Sequence, residues 1–192
     1  MLKSVSIQSF LGCSAHYKFR VILVSIMIRA AHLGLILFFM YSVNLSAEEN
    51  TKPAHVCQLK IFDQTDQVDL EKFKGQVVYV DFWASWCGPC VESFPFMNNL
   101  HNKLKSEGLA LLAVNLDEEL ADAKDFLNAH KADFTVVTDA DQQCAKQFAV
   151  KAMPSSYLID RKGMIREVHL GFRPGEAETF EAKVKQLLAE TP

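Results

Sequence analysis

The apolar positions of this chain switch between a period of two and a period of three to four, and the switches mark its elements. Residues 21–45 are largely apolar, interrupted by Arg29 and His32, and Leu33 to Val43 form the uninterrupted part. After a polar lead-in, Val56 to Phe62 alternates like a strand, and Asp63 to Gln67 reads as a turn. Val68 to Lys74 reads as a short strand or helical turn, broken by Gly75. Val77 to Trp83 and Leu109 to Leu116 are apolar enough for strands covered on both faces. Between them Val91, Phe94, Met97, Leu100 and Leu104 recur at three-to-four spacing. That predicts a helix from Cys87 to about Ser106, kinked at Pro95 and closed by Glu107-Gly108.

Asp117-Glu118-Glu119 opens a second helix reaching about His130, its acids suited to a first turn. Phe134 to Val137 is a short strand, and Asp139-Ala140-Asp141 starts a short helix ending near Phe148. Ser155 to Ile159 and Met164 to Leu170 form a hairpin around the turn Asp160-Arg161-Lys162-Gly163. Glu176 to Glu190 closes the chain as an amphipathic helix, with Phe180, Val184, Leu187 and Leu188 inward. Strand–helix–strand crossovers followed by a hairpin predict an α/β fold, a mixed central sheet with helices on both faces.

Three segments follow: a leader at 1–47, a lead-in at 48–56 and a domain at 57–192. The run Leu33–Val43 has signal-peptide length, whereas a spanning helix needs about 20 residues. Ser46-Ala47 fits a cleavage site, with Leu45 a poor fit three residues before the cut. A cleaved signal peptide and an uncleaved membrane anchor both remain open. Either puts the domain outside the cytoplasmic membrane, because the positive charges lie N-terminal. In a bacterium that means the periplasm. Residues 1–26 are long and polar for such a leader, so a true start at Met27 is a further reading.

Charge narrows the partners. Four of the 20 lysines and arginines fall in the first 47 residues and all 23 acids follow, so the remainder carries 16 cations against 23 anions, a formal −7. An acidic domain without a basic run does not fit nucleic acid. Nothing in the pattern fixes an oligomeric state, and a monomer is the working expectation.

The five cysteines are Cys13, Cys57, Cys87, Cys90 and Cys144. Cys87 and Cys90 sit two residues apart, directly after the strand at 77–83 and at the start of the helix. Exposed N–H groups and the helix dipole favour negative charge there, and the thiolate is the reactive form of cysteine. A dithiol–disulfide redox site is the natural reading. A zinc site would need two more ligands at suitable spacing, and the sequence offers none. No cofactor is expected beyond the Cys87–Cys90 disulfide itself. Cys57 and Cys144 remain as either a structural disulfide or two buried thiols.

Phe82-Trp83-Ala84-Ser85-Trp86-Cys87-Gly88-Pro89-Cys90, with Met153-Pro154 before a strand and hairpin, resembles the thioredoxin superfamily. Ser93-Phe94-Pro95, Val114-Asn115-Leu116-Asp117, Ala152 to Arg161 and Gly171-Phe172 resemble the TlpA-like periplasmic thiol–disulfide oxidoreductases over roughly 53–190. The resemblance implies a thioredoxin-like fold with an extra helix and strand at 118–137. It implies Cys87 as nucleophile and Cys90 as the resolving thiol, with Gly88 and Pro89 shaping the turn between them. Asp81, inside the strand, matches the buried acid of thioredoxins and could accept the Cys90 proton. Many TlpA-like relatives instead place a glutamate three residues after the second cysteine, where this chain has Ser93. Met153-Pro154 resembles the family's cis-proline loop, facing Cys87 and offering backbone to an extended substrate, and Trp86 would border that groove. Trp83 is read as a site neighbour or simple core, and His101 and His130 as surface residues.

The implied activity is reduction of protein disulfides through a mixed disulfide. Implied partners are protein thiol or disulfide substrates, with apocytochrome c cysteines among them, and a membrane thiol electron donor of the DsbD/CcdA type. A thiol oxidase of the same fold stays open as an alternative. So does a non-catalytic binding or copper-handling module, although no Met/His cluster supports copper.

Overall fold

In the computed structural model, residues 52–54 and 57–191 are described. The leader, its cleavage site, the start at Met27 and Cys13 all lie outside them. Among the described residues, no helix is long and apolar enough to cross a membrane.

Eight strands form one mixed sheet in the order β1-β8-β7-β4-β5-β6-β2-β3. They are β1 (Lys52–Pro53), β2 (Gln58–Ile61), β3 (Gln67–Asp69), β4 (Val77–Trp83), β5 (Leu109–Asn115), β6 (Thr135–Thr138), β7 (Ser155–Ile159) and β8 (Met164–Leu170). The helices are α1 (Gly88–Leu104), α2 (Leu120–Ala129), α3 (Gln143–Gln147) and α4 (Ala177–Ala189). β4 is central, parallel to β5 and antiparallel to β7. All seven of its residues are buried.

Alternation along β4 divides the core in two. Val77, Tyr79 and Trp83 face α1, α2 and α4, and pack with Phe94, Met97, Phe126, Phe180 and Val184. Val78, Val80 and Phe82 face the other way, onto Leu59, Val114, Cys144, Phe148 and Tyr157. Three helices thus cover one face of the sheet, and the short α3 with the 3-10 turn Leu70–Phe73 packs on the other. The segment α2–β6 is the extra unit: β6 extends the sheet beyond β5 in parallel, and β2 pairs with it antiparallel.

Two details depart from the sequence pattern. Lys52 and Pro53, inside the stretch read as lead-in, pair with Ile165 and Met164 at the sheet edge. α2 begins at Leu120, not at Asp117, because the Asp117 carboxylate is engaged elsewhere. As the sequence pattern predicts, α1 contains Pro95, which removes one intrahelical bond to the carbonyl of the partly exposed Val91. At the end of the short 3-10 turn after α1, Gly108 adopts φ +100°, a conformation that L side chains rarely reach.

Arg161 ties hairpin to helix. Its guanidinium donates to the carbonyls of Leu187, Leu188 and Glu190 at 2.9–3.1 Å, satisfying orphan acceptors at the C-terminus of α4.

Candidate active site

β4 ends at Trp83, and three residues later the chain turns into α1. Cys87 is the N-cap of that helix, and its amide donates to the Ala84 carbonyl at 3.1 Å. Cys87 and Cys90 are joined by a disulfide. Cys87 keeps 5% of its surface exposed and Cys90 none, so the first sulfur is the accessible one. Gly88 starts α1, and a Cβ there would meet nothing within 4 Å. A side chain there would thus meet no clash in the turn. Pro89 occupies the first turn, where no N–H is needed.

Asp81 is fully buried on β4. By alternation it points to the face shared with Tyr79 and Trp83, the face on which α1 carries Cys90. Ser156, directly opposite on β7, donates to its Oδ1 at 2.6 Å, and Oδ2 has no hydrogen-bond partner among the described residues. Tyr79 lies 2.9 Å from the Ser156 hydroxyl. With Asp81 ionised, the serine proton goes to the carboxylate, so the tyrosine donates to the serine. Burial pushes the Asp81 carboxyl up to about 7, against a smaller lowering by Ser156. Burial likewise pushes the Tyr79 phenol well above its usual value, with the Asp81 charge adding to it.

The Met153–Pro154 peptide is cis. The Pro154 carbonyl accepts from Gly171 at 2.8 Å, and Ser155 Oγ donates to the Ala152 carbonyl at 2.6 Å. Both bonds fix the loop at the start of β7. Met153 and Ala152 form one side of a groove of about 520 Å³, and Trp86, Cys87, Gly88 and Pro89 form another. Trp86 is 72% exposed, whereas Trp83 is wholly buried and stacks edge-on against Phe94. Trp86 thus borders the groove and Trp83 is core.

This geometry has relatives. The Redoxin family profile matches residues 50–188. The chain belongs to the Redoxin family. Curated Redoxin relatives include the thiol–disulfide oxidoreductase ResA of Bacillus cereus, 32% identical over 136 residues, covering 69% of this chain and 78% of that protein. ResA of Bacillus thuringiensis is 34% identical over 105 residues, 55% of this chain and 61% of its own. The chain thus spans about three fifths of the length of that relative. Among solved structures, a putative thiol:disulfide interchange protein DsbE from Chlorobium tepidum is 43% identical with a TM-score of 0.70, covering 72% of this chain and 97% of that one. Together with the sheet and the CxxC geometry, these relatives make this Redoxin chain a TlpA-like member of the thioredoxin superfamily.

The Redoxin fold also shows what the residue pattern left unassigned. Asp117, read as a helix-start acid, is 95% buried and instead holds the loop before Cys87. Its carboxylate accepts from the Ser85 amide at 2.9 Å, the Ser85 hydroxyl at 2.9 Å and the Asn115 side-chain amide at 2.7 Å. The signal was present in Asn115 and Asp117, two polar residues closing an apolar strand. Ser156 was missed because its role depends on strand register. Ser93 is buried, and its hydroxyl donates to the Cys90 carbonyl at 3.0 Å, so no titratable group occupies that place.

Cys57 and Cys144 are joined by a second disulfide, both nearly inaccessible. It ties the start of β2 to α3. Asp139 reinforces α3 by accepting from the amides of Cys144 at 3.1 Å and Ala145 at 2.8 Å. His101 and His130 are half-buried rather than surface, against Phe134 and Phe126 respectively. Among the described residues, no group of three or more His, Cys, Asp or Glu could hold a metal ion.

Proposed function

We propose that this Redoxin-family protein reduces protein disulfides outside the cytoplasmic membrane. The observation that carries the reading is the Cys87–Cys90 pair at the N-terminus of α1, with the accessible sulfur facing a groove and a buried carboxyl on the strand behind.

In the reduced enzyme, the Cys87 thiolate attacks one sulfur of a substrate disulfide. A mixed disulfide forms and the other substrate sulfur leaves as a thiolate. Cys90, losing its proton to Asp81, then attacks Cys87. The substrate's second thiolate leaves and the Cys87–Cys90 disulfide closes. Two electrons pass from the dithiol to the substrate. Asp81 suits the proton step because a carboxyl near 7 both accepts and releases a proton at neutral pH.

Electrons return from a membrane thiol donor of the DsbD/CcdA type, and clients include apocytochrome c cysteines or other exported proteins. The leader pattern supports the extracytoplasmic location. The Gly-Pro dipeptide between the cysteines resembles reducing thioredoxins and supports the direction.

A Cys90→Ser variant tests the reading, since it stalls the reaction at the mixed disulfide. It is expected to accumulate covalent adducts on Cys87 that dithiothreitol releases, while the wild type reduces insulin. A trap that stays empty, with no insulin reduction by the wild type, would overturn the proposal.

A further inference from the structure

The groove beside Cys87 has an uneven wall. Trp86, Leu116, Val150 and Met153 make it apolar, and the two charged side chains that line it are both cations, Lys146 and Lys151. Among the described residues no carboxylate lines it. Both lysines are exposed, and neither takes part in an ion pair among the described residues. Asp141, five residues before Lys146, is exposed and does not line the groove, and two buried carboxylates of the adjoining loops are engaged elsewhere. Asp139 accepts from the first amides of α3, and Asp117 accepts from Ser85 and Asn115. This cation pair runs against the charge of the molecule, because residues 48–192 carry a formal −7.

We propose that the groove selects an extended cysteine-containing segment with acidic residues beside its cysteine, the acids meeting Lys146 and Lys151 and a neighbouring apolar side chain lying against Trp86 and Met153. The inference rests on the reading that Cys87 attacks a substrate disulfide, and adds which sequence around that disulfide is preferred. Lys146 belongs to α3 and Lys151 to the loop leading to Met153-Pro154, and both line the same groove as Trp86 and Cys87. An extended chain lying in that groove across Cys87 comes within reach of both cations and of the tryptophan. Elsewhere the acidic surface would repel such a segment, so attraction confined to the groove also fixes where it lands.

Three peptides of equal length test this, each carrying one cysteine as a mixed disulfide with thionitrobenzoate. Glutamate, glutamine or lysine flanks the cysteine. The pre-reduced full-length protein supplies the electrons. Cys87 attacks the peptide sulfur and displaces thionitrobenzoate, the better leaving thiolate. Cys90, losing its proton to Asp81, then displaces the peptide as its thiolate and closes the Cys87–Cys90 disulfide. At low ionic strength the glutamate peptide should react about tenfold faster than the lysine peptide, with glutamine between. The gap should shrink as the Debye length falls from about 30 Å to about 8 Å at physiological salt. Lys146→Glu/Lys151→Glu should invert the order, and Lys146→Gln/Lys151→Gln should flatten it. Equal wild-type rates for the glutamate and lysine peptides would overturn the preference, as would an unchanged order in the charge-reversed variant. Failure of the reduced wild type to react with any of the three would instead overturn the underlying thiol-exchange reading.

Discussion

Ser156 donates its hydroxyl proton to Asp81 Oδ1 at 2.6 Å across the β4–β7 pairing, and it is the one hydrogen bond the buried carboxylate receives among the described residues. Burial outweighs that bond, which is why the Asp81 carboxyl stands at about 7. If Asp81 takes the Cys90 proton, resolution of the mixed disulfide should accelerate with pH through an inflection near 7. Asp81→Asn should abolish the inflection and slow resolution about 100-fold, with alkylation of reduced Cys87 little changed. Ser156→Ala removes a bond that lowers the carboxyl, so it should move the inflection upward. Stopped-flow release of a thiol substrate across pH reads both. An Asn variant with the wild-type profile would remove Asp81 from the proton path.

The same carboxyl sets a pH dependence of stability. The unfolded chain gives up this proton near 3.8, whereas the folded protein holds it to about 7. Between those values the unfolded state binds fewer protons, so stability falls as pH rises through the window. Below it the penalty is absent, and above it the penalty is complete. Asp81→Asn has no such group and should gain on the oxidised wild type steadily over that range. Urea unfolding at about pH 4.5 and about pH 7.5 measures the difference. A constant gap at the two values would mean the carboxylate is solvated.

Asp117 is a positioning residue. It accepts from the amide and the hydroxyl of Ser85 and from the Asn115 side chain, so it clamps the end of β5 to the loop that leads into Cys87. Asp117→Asn removes the charge and replaces one of two acceptor oxygens with an NH₂, beside the obligate N–H donors of Ser85 and Asn115. It should destabilise the protein by about 2 kcal/mol, the scale of a lost charged hydrogen bond in a buried setting. A loosened loop should also shift the redox equilibrium of Cys87–Cys90 against glutathione, which a stability loss remote from the site would not do. An unshifted equilibrium would make Asp117 structural only.

How far the sequence carried this picture follows from where tertiary contact decides. β4 and β5 coincide with the apolar runs because strands covered on both faces at the centre of a sheet must be apolar almost throughout. The CxxC and Met153-Pro154 were legible because their chemistry is local. The Asp81–Ser156 bond was not, since the pattern marks both strands but not their register. The start of α2 was misread because Asp117 looks like any first-turn acid until the Ser85 loop is in place. β1 was invisible, because two residues bear no period, and β8 supplies the pairing.

The Cys57–Cys144 bond closes a loop with a sequence separation of 87. Chain-entropy reasoning gives such a link roughly 4 kcal/mol. Cys57→Ser/Cys144→Ser should lower stability by an amount of that order and loosen α3, whose Ala145 and Lys146 line the groove. KM for a protein disulfide should then rise more than kcat falls. A Cys87→Ser/Cys90→Ser protein, denatured, should gain two titratable thiols on reduction. No gain would show the two cysteines to be unbonded.

Trp86 offers the sharpest separation of binding from stability. At 72% exposure it contributes little to the core, so Trp86→Ala should change unfolding free energy by no more than about 0.5 kcal/mol. Yet it is the largest apolar surface beside Cys87, and an extended substrate must cover it to reach the sulfur. An aromatic side chain presents roughly 150–250 Å² for such contact. Losing it should raise KM for insulin about tenfold with kcat nearly held, the signature of binding shared by ground and transition states. If kcat fell instead while KM stayed constant, Trp86 would act on the conformation of the Cys87 loop, and the substrate path would lie elsewhere on the rim of the disulfide.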